Sequence, residues 1–221
     1  AKHFGTEYHE YCVTPEDVLR AIPEVVSAYS EPFGNSSAIP TYYCAKLAKS
    51  VGVERLLAGD GGDELCGGNK RYRKQLQLDK FNQLPAALKR LANSIFLGGY
   101  AENIPGIQKL ASYVRQTNFD MLFRMERYNL IDRKGARNIF NKDFLDEIDV
   151  SHPHNYIGTA YQAVSAEELL NKMLGYDFKM TLIDNDLPKV VNMSGVAGVE
   201  VAFPYLNNEM IDFSSSTTCC A

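Results

Sequence analysis

The sequence reads as an α/β protein, a short parallel sheet with its helices first and a mostly helical region after it. Three observations carry that reading. Tyr8 to Val13 and Val53 to Ala58 have the length and pattern of strands. Two helical stretches lie between them. The second strand then runs into Ala58-Gly59-Asp60-Gly61-Gly62-Asp63-Glu64-Leu65-Cys66-Gly67-Gly68. A glycine-acid loop at the carboxyl end of a strand occupies the edge where open parallel sheets bind their ligands.

The elements follow in order. Tyr8-His9-Glu10-Tyr11-Cys12-Val13 alternates and predicts a strand. Thr14 is the N-cap of the next helix, with Pro15 in its first turn and Glu16 and Asp17 beside its positive end. Val18, Leu19, Ile22, Val25, Val26 and Tyr29 supply its apolar face. Ile39 to Val51 predicts a second helix, with Gly52 as C-cap. Val53 to Ala58 is the next strand. From about Lys70 onward the strand signals fade. Phe81 to Phe96, Ile107 to Tyr113, Asp120 to Tyr128 and Glu167 to Ile183 read as helices, and residues 97–105 and Asp149 to Asn155 as loops. The expected organisation is an α/β part over residues 1–75, a helical part of the same domain over 76–213, and a disordered tail over 214–221.

Bulk properties set limits. The 221 residues are 45% hydrophobic and 23% charged, an ordinary globular composition. No run of 18 apolar residues suggests a membrane span. The first residues hold no apolar stretch of signal-peptide type. The net charge of −4, without a basic block, lends no support to nucleic-acid binding. Five cysteines, Cys12, Cys44, Cys66, Cys219 and Cys220, contain no Cys-x-x-Cys pair. An odd count without a secretion signal points to reduced thiols and a cytoplasmic location. His3, His9, His152 and His154 show no firm ligand spacing.

The loop itself carries the chemistry. Five glycines in ten residues let the backbone approach a ligand and take positive φ. Asp60, Asp63 and Glu64 can hold Mg²⁺ or accept a proton, and Mg²⁺ commonly arrives with phosphates. The plain alternative is an acidic surface turn whose acids serve solubility and capping.

Three segments resemble the glutamine-hydrolysing asparagine synthetase family, in its ATP-dependent synthetase domain. The loop is similar to that family's Ser-Gly-Asp-Gly-Gly-Asp-Glu-Leu-Phe-Gly-Gly stretch, with Cys66 at the usual Phe. Glu31-Pro32-Phe33-Gly34-Asn35-Ser36-Ser37-Ala38-Ile39-Pro40 resembles its Glu-Pro-Phe segment. Gly198-Val199-Glu200-Val201-Ala202-Phe203-Pro204-Tyr205-Leu206-Asn207 resembles its Gly-Val-Glu-x-Arg-x-Pro-Phe-Leu-Asp segment. The three stand in the family's order and reach across most of the chain.

The resemblance implies an incomplete sheet of the adenine-nucleotide-hydrolase type, Rossmann-like and of the ATP-pyrophosphatase group. It implies ATP and Mg²⁺, an aspartate-like acid activated as an acyl-adenylate, and ammonia delivered from glutamine by a glutaminase domain. Asp63 matches the Mg²⁺-binding Asp. Asp60 matches the acid that takes the ammonia proton. Gly59, Gly61 and Gly62 match backbone that lies against the nucleotide, and Glu64 either joins them or orders the following turn. The family's Ser-Gly-Gly-x-Asp-Ser loop and its glutaminase domain have no counterpart here; a fragment of a longer protein and a natural short or split protein both remain open, a start in the middle of a sheet favours the fragment, and the chain is expected to be inactive alone.

Some positions depart from the family. Asn192 stands where many members carry Lys or Arg facing the pyrophosphate, and Asn supplies no charge. Lys189, three residues earlier, is placed to compensate or else is a solvated lysine. Ala202 replaces the usual Arg and Asn207 the usual Asp. Glu200 is expected to be a buried or half-buried carboxylate that fixes its loop. These departures keep two alternatives open: a non-catalytic binding or scaffold protein, and a synthetase of the β-lactam-forming type. A sheet lacking its first strand would leave an unpaired edge and a bare apolar face, so a homo-oligomer is expected.

Overall fold

In the computed structural model, residues 1–97, 107–126, 131 and 134–216 are described. They fall into two compact units. One takes in Ala1–Gly68 and the described residues from Asp177 onward; the other lies between Asn69 and Tyr176.

The first unit is built on α1 (Pro15–Ser27), α2 (Ala38–Ser50) and the helix Leu187–Ala197. Helix α1 starts where the sequence says it should. The Thr14 side chain accepts from the Asp17 N–H, and Asp17 accepts from the Thr14 N–H at 3.0 Å, a complete capping box. The three helices enclose Ala21, Ala38, Tyr42, Tyr43 and Met193, flanked by Val25, Ala28, Tyr29, Phe33 and Ile39. Small residues at Ala21, Ala38, Ala45 and Ala48 are buried, which fits close helix approach. Phe33 stacks on Tyr29 with centroids 4.2 Å apart. The Asn35 side chain accepts from the Ser37 N–H at 3.0 Å just ahead of α2. Gly52 takes φ +84° after α2, as a helix-ending glycine does.

The described sheet has two strands, β1 (Arg55–Leu57) and β2 (Glu200–Ala202). They pair in parallel, with Arg55 opposite Glu200 and Leu57 opposite Ala202. The Ala58 N–H donates to the Ala202 carbonyl at 2.9 Å and extends the ladder by one bond. The overall class is therefore α/β, helix-rich, with a small parallel sheet.

The expected strand Tyr8–Val13 does not form. No described strand lies beside it, so its backbone has no ladder to join. Its aromatic rhythm is used locally: Tyr11 stacks on Tyr43 at 5.4 Å and donates to Asp17 at 2.8 Å. The sequence reading also overlooked β2, whose three residues fall below the length at which alternation is readable.

The second unit is helical, with helices Lys70–Asn82, Ala86–Leu97, Ile107–Thr117, Met121–Met125, Lys142–Glu147 and His152–Ala163. The helix Leu169–Asp177 leads out of it. Pro85 divides the expected Phe81–Phe96 helix, since proline lacks the N–H to continue one. The expected loop Asp149–Asn155 is helical from His152, because Pro153 sits in a first turn where its ring is tolerated. The helix expected to end at Ile183 continues through wide turns over Phe178–Asp186 into Leu187–Ala197. The core of this unit holds Tyr72, Leu78, Met125, Met173 and Tyr176. A buried polar bond from Arg124 Nε to Gln75 Oε1, 2.9 Å, joins two of its helices. The loop expected over 97–105 lies almost wholly outside the described residues, as do Tyr128, Cys219 and Cys220. Ser214 to Ser216, expected in the tail, belong to the helix Asn208–Ser216.

Among the described residues no helix is long and apolar enough to cross a membrane. Helix α1 exposes Leu19, Ile22 and Val26 along one stripe, and Leu57 on β1 is 73% exposed. Sedimentation of the chain at rising concentration is therefore expected to show reversible self-association. Leu19→Glu with Val26→Glu is expected to return it to monomer, and a monomer at every concentration would refute the expectation. Met193→Ala, at the fully buried centre of the three-helix core, is expected to cost about 2–5 kcal/mol in urea unfolding.

Candidate functional site

The parallel ladder sets the site's geometry. Both strands end on the same side, so the loop after β1 and the turn Pro204–Leu206 after β2 emerge as neighbours. The loop turns at Gly61, with φ +92°, into the short helix α3 (Gly62–Cys66), which ends at Gly67, with φ +67°. At Gly61 a side chain would be strained by backbone conformation and would also collide with Leu206. The Tyr205 ring covers Gly62. The Asp63 carboxylate lies over Gly68, at a spot where a Cβ would crowd it.

These elements line a cleft of about 710 Å³ with Gly59, Asp60, Gly61, Gly62, Asp63 and Glu64 on one side. Leu182, Asp186 and Tyr205 form the facing wall, and Cys66 is exposed at the rim. The loop residues singled out from sequence thus share one cavity. Asp63 is exposed at it; Asp60 and Glu64 are half-buried.

Asp60 stands in the most charged surroundings. Burial pushes its carboxyl above the ordinary value of 3.8; the Lys189 ammonium opposes that rise, and the Asp186 carboxylate adds to it. Lys189 is no solvated surface lysine. Its side chain is 13% exposed and its ammonium donates to Asp186 Oδ1 at 2.6 Å. Residues 186 and 189 share a helix face, which makes this contact.

The other motif positions have structural roles. Glu200 is not the buried carboxylate the sequence suggested. It is 71% exposed and accepts from Arg55 Nη2 at 2.7 Å across the ladder. It is the first residue of β2 and lies at one end of the described ladder. Asn207 accepts from the Met210 N–H at 2.7 Å and so caps the last helix. Asn192 is half-buried on the Lys189 helix.

Sequence reasoning missed Leu182 and Asp186. Leu182 resembles any helical core residue. Asp186 had a signal, an acid before Leu187-Pro188 at a helix start, but that pattern reads as a cap. Its side chain makes no capping bond here.

The donor set suits Mg²⁺ shared with phosphate oxygens. Asp63 offers a hard carboxylate at an open mouth, and Mg²⁺ typically takes one or two such groups with waters and phosphates. Among the described residues no three His, Cys, Asp or Glu side chains gather to hold a metal by themselves.

The family model for Asparagine synthase matches residues 1–218. The chain belongs to the asparagine synthase family. It is 36% identical over 91 residues to asparagine synthetase (glutamine-hydrolyzing) 1 of Bacillus subtilis (strain 168), a stretch covering 41% of this chain and 14% of that protein. It is 32% identical over 93 residues to putative asparagine synthetase (glutamine-hydrolyzing) 2 of Methanocaldococcus jannaschii, covering 42% of this chain and 18% of that protein. To asparagine synthetase (glutamine-hydrolyzing) of Brassica oleracea it is 33% identical over 86 residues, 38% of this chain and 14% of the relative. The matched stretch thus spans less than a fifth of each of these family members. No solved structure matches the chain significantly.

Gly61→Ala is expected to destabilise this family member by more than about 1 kcal/mol, read as a lower urea midpoint, because φ and the Leu206 contact both oppose a side chain. The raised Asp60 carboxyl has a definite sign. The folded chain holds that proton more tightly than the unfolded one, so its contribution to stability is present below pH 3.8 and is lost as pH rises through the raised value. Asp60→Asn is expected to flatten this part of the stability profile, measured by urea unfolding between pH 3 and pH 7.

Proposed function

We propose that the cleft is the acidic half of the ATP site of an amide-forming synthetase domain. One observation carries the reading: a glycine-acid loop at the carboxyl edge of a parallel ladder shares its cavity with Asp186, which holds the nearly buried Lys189. Family membership gives the reaction class, and the relatives' names specify asparagine synthesis with glutamine hydrolysis.

In this reading the acceptor acid, aspartate or a relative of it, attacks the α-phosphorus of ATP. Acyl-adenylate forms and pyrophosphate leaves. Ammonia, supplied from glutamine by a glutaminase domain, then attacks the acyl carbon; AMP departs and an amide remains. Asp60 takes the proton that the ammonia nitrogen sheds, a task suited to a carboxylate whose proton affinity burial has raised. Lys189 provides positive charge toward the departing pyrophosphate. Gly59, Gly61 and Gly62 let backbone approach the nucleotide, and Glu64 orders the turn into α3. Asp63 would hold Mg²⁺, which when bound neutralises phosphate charge. The expected setting is cytoplasmic, and the chain alone is expected to be inactive.

A second reading, a binding protein without chemistry, draws support from Ala202 and Asn192, which bring no charge to the site. The experiment that separates the two uses the gene product that carries this chain. With ATP, aspartate and ammonia it is expected to release AMP and pyrophosphate, and Asp60→Ala is expected to lower that rate about 10²–10⁴-fold. Absence of AMP formation with any small acid would favour the binding role. For the same gene product, calorimetry is expected to show ATP binding only with Mg²⁺ and weaker binding in Asp63→Asn. ATP binding indifferent to Asp63→Asn would remove Asp63 from its proposed role.

A further inference from the structure

Asp186 belongs to none of the motifs that drew attention to the loop, yet it lines the same cleft as Asp60. Its placement has a local cause. Over Phe178–Asp186 the helix opens into wide turns, and the Leu187 N–H donates to the Leu182 carbonyl, five residues back. Leu182 and Asp186, four apart, both face the cleft. Because the helix arrives already wound, its next turn does not depend on a side-chain cap, and the Asp186 carboxylate makes none. It accepts instead from Lys189 at 2.6 Å, with the two side chains 26% and 13% exposed. A lysine this enclosed needs an anion beside it.

We propose that Asp186 is a positioning residue of this site, whose ion pair holds the Lys189 ammonium at the Asp60 end of the cleft. The role assigned to Lys189 rests on the synthetase reading; the positioning itself does not. Three charged side chains then form one unit: Asp60 from the loop, Asp186 from the end of the wide turns and Lys189 from the helix after them. Asp63, Glu64 and the Cys66 thiol are the remaining titratable groups of the loop that line the cavity, and the Tyr205 phenol lines it too. A long lysine side chain without an anchor samples many rotamers. With the anchor its charge stays where the cleft gathers carboxylates.

The titration of Asp60, followed by carbon NMR of its carboxyl group in the whole chain, tests this by sign. Lys189→Gln removes the opposing cation and is expected to move the Asp60 midpoint upward. Asp186→Asn removes a nearby negative charge, which by Coulomb's law alone would move the midpoint downward. If Asp186 positions Lys189, the freed ammonium leaves Asp60 and the midpoint moves upward, as in Lys189→Gln. Asp186→Glu, which keeps the anchor, is expected to restore the original midpoint. A downward or absent shift in Asp186→Asn overturns the proposal. Should that variant fail to fold, an unmoved midpoint in Lys189→Gln overturns it equally, and an upward shift there together with a restored midpoint in Asp186→Glu supports it. AMP release from ATP by the gene product that carries this chain separates the two ideas: the expected shifts with no AMP formed from any small acid would end the synthetase reading and leave the positioning in place.

Discussion

The parallel pairing of β1 with β2 is the constraint on which the site depends. Three residue pairs, Arg55 with Glu200, Leu56 with Val201 and Leu57 with Ala202, join segments 145 residues apart. Parallel strands end on the same side, so the ladder delivers the acidic loop and the Pro204–Leu206 turn to one edge. Leu206 then closes against Gly61 and Tyr205 against Gly62. An antiparallel pairing would send the two segments to opposite ends and leave the acids without a facing wall. The packing of the Leu187–Ala197 helix on α2 supports the same geometry, since Met193 sits at zero exposure in that core while Lys189, one turn earlier, donates to Asp186, which lines the cleft.

The cleft mixes chemistries that oppose each other. Leu182 and Tyr205 supply apolar surface, which raises the cost of charge; Asp60, Asp63, Glu64 and Asp186 supply negative charge. One lysine offsets part of it. The unit therefore carries an excess of carboxylate into a partly dry space, an arrangement suited to a ligand that brings cations with it. This is why the two carboxylates three residues apart differ. Asp63 is exposed to water, whereas Asp60 lies deeper and holds its proton more firmly.

Much of this was legible in the sequence, and for identifiable reasons. Thr14, Pro15 and Asp17 signalled the start of α1 because capping uses residues adjacent in the chain. Gly52 marked the end of α2 for the same reason. The glycine-acid loop stood out because its composition differs so far from a plain turn, and its residues do line one cavity. What stayed hidden depends on partners distant in sequence. Tyr8–Val13 has a strand pattern but no neighbour to pair with, while β2 has a neighbour but only three residues of pattern. Glu200 could not be placed because its exposure reflects how many layers cover a sheet, a tertiary fact. Asp186 escaped because a carboxylate before Leu-Pro at a helix start reads as a cap; only the wide turns ahead of it reveal that no cap is needed.

The distance between β1 and β2 along the chain also governs when the cleft comes into being. Closing a flexible span of 145 residues costs about 4 kcal/mol in chain entropy before any contact is returned. On a ribosome moving at roughly 5–20 residues per second, β1 emerges on the order of ten seconds before its partner. For that interval Leu57 and the glycine loop lack the partner that β2 later supplies. The exposed Glu54 and Arg55 at its entrance are charges of the kind that discourage unwanted pairing. The acidic cavity thus assembles only after the segment that carries β2 has been made, 145 residues of synthesis after the strand that leads into its loop.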